Sequence, residues 1–257
     1  MQVGGLAALP SVSLAVCICV AMSSWFHVAC KYNLSSIDLL SQEHPDVVHV
    51  DRRVLVGVFS TAAHLEQRAI IRAVFRSFNV PRSSISYKFV LGRSHNQNLS
   101  EIVRVENNAY SDILFLPCSE NMNNGKTYEF FVHIARHLRG RNFDFVLKLD
   151  DDAFLHPDNY LRAVQRLPAK GVYYGFADLE DEYMVGFGYT LSLDLVLFIA
   201  SSPYAKHNCC NHRHEDVGVG KWLQDGESVV SYFVSDRLVF QAMTLAGSCR
   251  CRCLPGL

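Results

Sequence analysis

Phe143-Asp144-Phe145-Val146-Leu147-Lys148-Leu149-Asp150-Asp151-Asp152-Ala153-Phe154 is the stretch on which the fold turns: a mostly apolar run that ends in three adjacent carboxylates. The apolar part has the composition of a strand buried on both faces, as found inside parallel sheets. Ligand sites in open α/β sheets lie beyond the carboxyl ends of such strands, which is where these acids stand. Crowded carboxylates repel one another and lose hydration, so a hard divalent cation, Mn2+ or Mg2+, is their natural occupant. Strand alternation places Asp150 and Asp152 on one side and Asp151 on the other, a pair able to meet a metal and a metal-bound diphosphate together. The triplet alone also makes an ordinary solvated turn, and only its context moves the balance.

The context is a series of strands alternating with helices. Upstream, 54–59 reads as a buried strand, Ser60-Thr61 opens a turn, and Leu65, Ala69, Ile71, Val74, Phe75 and Phe78 recur at helical spacing, predicting a helix over 66–78. Further strands are expected over 87–91, 113–116, 172–177 and 189–191, with helices over 100–107, 127–138, 156–167 and 194–200. This alternation predicts a single α/β domain built on a mainly parallel, twisted sheet with helices on both faces.

Composition sets the outer bounds. The chain has 257 residues, 49% of them hydrophobic and 19% charged, as in an ordered globular protein. A net charge of -1 with no long Lys/Arg block leaves no electrostatic footprint for nucleic acid. Residues 2–30 contain no Asp, Glu, Lys or Arg, which exceeds the roughly 20 residues that cross a bilayer. We read 1–30 as a transmembrane signal-anchor, 31–53 as a short stem and 54–257 as a lumenal body. A cleaved signal peptide is the competing reading, given the small residues at 21–24. Lys31 follows the apolar run and no basic residue precedes it, which weighs against an N-in orientation.

Cys118, Cys209, Cys210, Cys249, Cys251 and Cys253 lie in the body. Their even number suits disulfides in a secretory lumen, free thiols are the alternative, and spacing does not reveal the pairing. Asn33-Leu34-Ser35 and Asn98-Leu99-Ser100 are glycosylation sequons.

Three polar groupings invite a chemical reading. Gly125-Lys126-Thr127 resembles the end of a phosphate-binding P-loop, but the position that motif reserves for its first glycine holds Glu120. His212, His214, Glu215 and Asp216 beside Cys209-Cys210 suggest zinc, yet adjacent cysteines do not match zinc-finger spacing. Glu215-Asp216 also precedes a helix-like run, where Asp216 serves as a cap or as a base.

Several blocks in order, Arg68-Ala69-Ile70-Ile71-Arg72, Phe89-Val90-Leu91-Gly92, Glu106 with Tyr110-Ser111-Asp112-Ile113-Leu114, Lys148-Leu149-Asp150-Asp151-Asp152, Gly186-Phe187-Gly188-Tyr189 and Glu215-Asp216-Val217, resemble the β1,3-glycosyltransferase family that includes β1,3-galactosyltransferases and Fringe-type enzymes. The resemblance spans roughly 54–223. It implies a GT-A (Rossmann-like) fold, a UDP-sugar donor bound through Mn2+, a glycan or glycoprotein acceptor, inversion at the anomeric carbon and a single-pass type II place in the Golgi membrane, with the ER as alternative. Carried over residue by residue, it makes Asp152 a metal ligand with Asp150, puts Asp150 near the donor's ribose with Asp151 beside it, and makes Asp216 the base. Ser60 and Thr61 are expected at the nucleoside, or as plain turn residues. Arg68 and Arg72 share a helical face and are expected either at phosphate or paired with Asp or Glu.

Two departures stand out. Val74-Phe75 replaces the family's usual Thr-Trp, and no His occurs beyond His214 where the family places a metal-binding imidazole. The stretch 241–257, ending Cys249-Arg250-Cys251-Arg252-Cys253, does not read as a core strand, as in a truncated or alternative product. A catalytically silent nucleotide-sugar-binding homologue and a metal-dependent phosphohydrolase are the rival readings.

Overall fold

Every position of β1 (Val54–Phe59) is buried, and the strand stands near the centre of the sheet because both of its faces are covered. In the computed structural model, which describes residues 51–78, 84–137, 143–178, 183–211, 214–225, 231–234 and 240–242, β1 pairs in parallel with β2 (Ile85–Arg93) and β4 (Phe145–Asp150). The described residues all fall within one unit, His49–Leu257. With β3 (Ile113–Ser119), β6 (Val172–Asp178), β7 (Tyr183–Ser192) and β8 (Ser231–Val234), the seven-stranded sheet has the order β3-β2-β1-β4-β7-β6-β8. β7 is antiparallel to both β4 and β6, and the other pairs are parallel. The sheet is therefore mixed, with parallel pairing prevailing as the alternation predicted.

Side-chain alternation splits the core into two layers. Val54, Val56, Val58, Leu147 and Leu149 face one layer with Ile71 of α1 (Leu65–Ser77), Val103 of α2 (Gln97–Tyr110) and Tyr160 of α4 (Pro157–Gln165). Leu55, Phe59 and Val146 face the other, with α3 (Thr127–His137), α5 (Leu193–Ser201) and α7 (Glu215–Gln224). A short helix, α6 (Pro203–Asn208), precedes α7. Gly57 is bare for a reason: a Cβ there would lie 2.3 Å from Phe130 Cζ.

Local chemistry sets the helix ends. Asn96 caps α2 by accepting from Leu99 N at 3.2 Å, and Ser111 closes it in the left-handed region at φ 53. Pro157 opens α4, where its missing N–H has no partner to lose. The observed β7 is far longer than the 189–191 expected from the sequence, because Gly186 and Gly188 break its apolar pattern while pairing with β4 reaches Gly188 and pairing with β6 resumes at Met184 and Tyr183 after a register shift. A two-stranded sheet joins β5 (Ala153–Leu155), directly after the acidic triplet, to β9 (Phe240–Ala242). Residues 1–50, His212 and 243–257, with the expected anchor, most of the stem and most of the tail, lie outside the described residues. Among the described residues no helix is long and apolar enough to cross a membrane.

Candidate active site

The carboxyl ends of β1, β2 and β4 reach one edge of the sheet, and buried polar groups tie them together there. Lys126 Nζ donates to Ser60 O at 2.8 Å and to Glu120 Oε1 at 2.6 Å, while Gly92 N donates to Glu120 Oε2 at 2.6 Å. Gly125-Lys126-Thr127, which lacks the spacing of a phosphate-binding loop, is thus a brace between strand ends. A cavity of about 320 Å3 opens beside it, lined by Ala62, Leu91, Gly92, Arg93, Val103 and Phe115 among others.

Lys148 sits in the middle of β4 and is wholly buried. Its Nζ lies 2.6 Å from Asp150 Oδ1 and 2.7 Å from Glu215 Oε1, donates to Gly186 O, and faces the rings of Phe59 and Tyr189 at 5.5 and 5.7 Å. Burial opposes its charge, but Glu215 and then Asp150 outweigh burial, and the ammonium is held above its ordinary range. Glu215 Oε2 accepts from Thr127 Oγ1 at 3.0 Å and from Tyr189 OH at 2.9 Å. Its backbone N–H donates to Asn123 Oδ1 at 3.0 Å. One cation thus serves two carboxylates.

That imbalance appears in the geometry and the titration alike. Asp150 Oδ1 and Glu215 Oε1 lie at ion-pair distance from Lys148 but off hydrogen-bond direction, so neither has a hydrogen-bond partner. Burial, reinforced by Glu215 and Asp152, pushes the Asp150 carboxyl up to about 6 despite the pull of Lys148. Asp152 is exposed beside it. Asp151 turns the other way, its Oδ2 2.8 Å from His64 Nδ1 and its N–H donating to Phe59 O at 3.1 Å. The alternation expected of the triplet places Asp150 and Asp151 on opposite sides, as their partners show. Among the described residues no group of three or more His, Cys, Asp or Glu side chains is set to hold a metal alone. A cation there fits as an occupant that completes its shell with other oxygens, and the Asp150 carboxylate, which shares the single Lys148 with Glu215, is the acceptor it would find.

Asp216 lies in the first turn of α7, against β7. Its Oδ2 accepts from Gly186 N at 2.8 Å and its Oδ1 from Val217 N at 2.9 Å. A Cβ on Gly186 would stand 3.0 Å from Asp216 Oδ2 and 3.2 Å from Glu215 Oε1, so the bare residue lets one stretch of β7 backbone meet both Asp216 and the Lys148 ammonium.

The expected nucleotide contacts divide. Arg68 is fully buried, donates to both oxygens of Glu106 at 2.7 to 3.1 Å and to Ser60 Oγ at 3.0 Å, and also donates to Thr61 O. Arg72 pairs with Glu106 at 2.7 Å and with both oxygens of Asp112 at 2.8 Å. As direct contacts to a nucleotide, Ser60, Arg68 and Arg72 are therefore not offered in this arrangement: their polar atoms face one another inside the protein, and the second of the two expectations for the arginines, pairing with carboxylates, is what the chain adopts. Thr61 remains half-buried at the strand end. Lys148 and Glu215 had no assigned role from the sequence; a lysine inside an otherwise apolar strand was the signal, since a buried ammonium needs a carboxylate.

This architecture is the GT-A fold of glycosyltransferases. The mannosyltransferase PcManGT from Pyrobaculum calidifontis, solved in complex with GDP-Man and Mn2+, superposes with a TM-score of 0.52 at 14% identity, covering 87% of this chain and 67% of that one. The galactosyltransferase family model matches residues 66–177. Hydroxyproline O-galactosyltransferase GALT6 of Arabidopsis thaliana is 24% identical over 212 residues, which cover 72% of this chain and 30% of the relative. Beta-1,3-galactosyltransferase pvg3 of Schizosaccharomyces pombe is 20% identical over 226 residues, covering 64% and 60%. The chain thus spans less than two thirds of the length of either relative.

Proposed function

We propose that this chain transfers a hexose, galactose or N-acetylglucosamine, from its UDP derivative to a hydroxyl of a glycan or glycoprotein, forming a β1,3 bond with inversion. The observation that carries the reading is the surplus of buried negative charge at the carboxyl end of β4, beside an Asp216 of α7 oriented by β7. The names of the two galactosyltransferase relatives favour galactose, and the GDP-Man and Mn2+ held by the mannosyltransferase neighbour favour a nucleotide sugar and a divalent ion.

In this reading Asp152 and Asp150 would hold Mn2+, with Mg2+ as substitute, and the ion supplies positive charge for the diphosphate that leaves. Asp150 borders the donor, Asp151 on the other side backs it through His64, and the apolar-lined cavity beside Ala62 and Leu91 accepts the nucleoside next to Thr61. Asp216 takes the proton from the acceptor hydroxyl, with the N–H groups of Gly186 and Val217 fixing the direction of its oxygens. Inversion requires attack from the face opposite the leaving group, so the base and the diphosphate site must be separate. Two acidic positions, one at the end of β4 and one at the start of α7, meet that need.

The test is UDP release by the purified chain with Mn2+ and a panel of donors and acceptors. Asp216→Asn is expected to cut turnover by roughly 10²- to 10⁴-fold while UDP–Mn2+ binding persists; Asp152→Asn is expected to lose both. No turnover with any donor in a folded protein sinks the enzyme reading. A silent nucleotide-sugar binder is the second reading, favoured because β9, the strand paired beside the acidic triplet, reads Phe240-Gln241-Ala242 and brings no His. Calorimetric binding of UDP and Mn2+ without release selects it.

The anchor at 1–30, stem at 31–53 and lumenal body at 54–257 complete the proposal, with the Golgi membrane as location. Asn98 is exposed on α2, so an endoglycosidase-sensitive mass shift lost in Asn33→Gln/Asn98→Gln is expected; an unshifted wild type argues against a lumenal body.

A further inference from the structure

The turn Met122–Lys126, whose Asn123 holds the start of α7, is backed by two adjacent thiols. Cys209 Sγ and Cys210 Sγ lie 3.3 Å apart, the first half-buried and the second exposed. Both face one glycine: a Cβ on Gly125 would stand 3.3 Å from Cys210 Sγ and 3.8 Å from Cys209 Sγ. Gly125 has φ +84, a conformation that favours glycine, so the sulfurs pack against a backbone that no side chain shields. Cys209 also packs against the apolar layer formed by α3, α5 and α7, while Pro203–Asn208 ends just before it.

Burial and the hydrogen bond with Cys210 push the Cys209 thiol up to about 11. Little of Cys209 is thiolate near neutrality, and Cys210 has the exposure an incoming disulfide requires. The two sulfurs already lie closer than many non-bonded contacts, whereas a disulfide bond is about 2.05 Å long. Neighbouring Cα atoms stand about 3.8 Å apart, closer than in most disulfides, so closing the eight-membered ring turns the intervening peptide as well as drawing the sulfurs together, and that movement changes the packing against Gly125.

We propose that Cys209 and Cys210 are a redox-active vicinal pair that closes to an intramolecular disulfide by exchange with a low-molecular-weight disulfide, and that the Met122–Lys126 turn senses the change. In the first step the Cys210 thiolate attacks one sulfur of the incoming disulfide; that S–S bond breaks, and the departing thiolate takes up the proton Cys210 released. In the second, Cys209 gives up its proton and its sulfur attacks Cys210 Sγ in the mixed disulfide, expelling the remaining thiol, which takes that proton. Two protein thiols are oxidised by two electrons, and the small disulfide is reduced to two thiols. The turn passes the change on, because Asn123 Oδ1 accepts from Glu215 N at 3.0 Å and the adjoining Thr127 Oγ1 donates to Glu215 Oε2 at 3.0 Å. This site stands apart from donor chemistry and holds whether or not the chain transfers a sugar.

The experiment equilibrates the full chain with glutathione disulfide or with dithiothreitol, then alkylates and analyses the peptide containing Cys209-Cys210 by mass spectrometry. Loss of two hydrogens inside that one peptide, with no retained glutathione and full reversal by dithiothreitol, is the expected result. Phenylarsine oxide, which takes two thiols at once, is expected to bind the reduced form and not the oxidised one. Cys209→Ser and Cys210→Ser are each expected to abolish both behaviours. Hydrogen exchange at the amides of 122–127 is expected to differ between the two forms of the wild type and to be unresponsive to glutathione disulfide in either variant. A stable mixed disulfide on either cysteine, or a bond from either to another cysteine of the chain, overturns the pair. Unchanged exchange at 122–127 after closure overturns the coupling.

Discussion

Two buried ionic clusters lie on the same domain and are built on opposite principles. Around α1 and α2, Arg68 and Arg72 meet Glu106 and Asp112, two cations for two anions, and the carboxylates receive forked donors at 2.7 to 3.1 Å. Under α7, Lys148 alone meets Asp150 and Glu215, with Asp152 close enough to raise the Asp150 carboxyl further. The first cluster is neutral and satisfied. The second carries surplus negative charge and leaves acceptors off hydrogen-bond direction. A neutral buried network can do little but hold elements together, whereas a charge surplus at a strand end has free energy available for an incoming cation. The balanced cluster is a clamp and the unbalanced one is a site.

The same substitution in each cluster tests this contrast, and the largest effect belongs to the clamp. Glu106→Gln presents an amide NH2 to two buried guanidiniums, and thermal or urea unfolding should show a loss of about 3–5 kcal/mol. Glu215→Gln should destabilise far less, or not at all, because it relieves the surplus and the Thr127 and Tyr189 hydroxyls can turn to accept from the new amide. Equal losses from the two variants would erase the distinction.

Acid titration should separate the clusters by sign. Burial works against the Glu106 charge, yet Arg68 and Arg72 hold its carboxyl below the ordinary range. Its stabilising contribution is therefore present above the ordinary carboxylate value and lost as pH falls through the lower folded value. Asp150 runs the other way: with its carboxyl raised from 3.8 to about 6, its contribution is present below pH 3.8 and lost as pH rises through about 6. In chelator, Asp150→Asn should remove a decline in stability between these limits that wild type shows. A wild-type curve that rises throughout that window, unchanged in the variant, would contradict the surplus.

The smallest effect concerns the join between site and base. Gly186→Ala places a methyl 3.0 Å from Asp216 Oδ2, and the displaced carboxylate should lower turnover by up to about 10²-fold. Unfolding should report only about 1–3 kcal/mol of overpacking. Turnover that survives intact would remove Gly186 from the positioning of Asp216.

Some of this was legible in the chain. Apolar runs with turns after them marked 54–59 with its observed bounds, and helical periodicity found α3 and α4 within a residue or two. Such local signals survive because burial on two faces, or on one helical stripe, writes a period into the residues themselves. β7 was mostly missed, since pairing with β4 and β6 rather than apolar alternation defines it. The short β5 and β9 pair was missed as well, because residues that far apart advertise their meeting nowhere locally.

The acidic triplet and Glu215-Asp216 stood out by residue type alone, because chemistry of that kind needs carboxylates and little else supplies them. What became of each carboxylate was decided in three dimensions. Arg68 meets Glu106 from another helix, and Lys148 of β4 meets Glu215 at the start of α7. Whether a charge is cancelled or left over depends on which oppositely charged group the fold brings within a few ångströms in a medium that screens poorly. Sequence order records the groups, but only the packed chain records their neighbours.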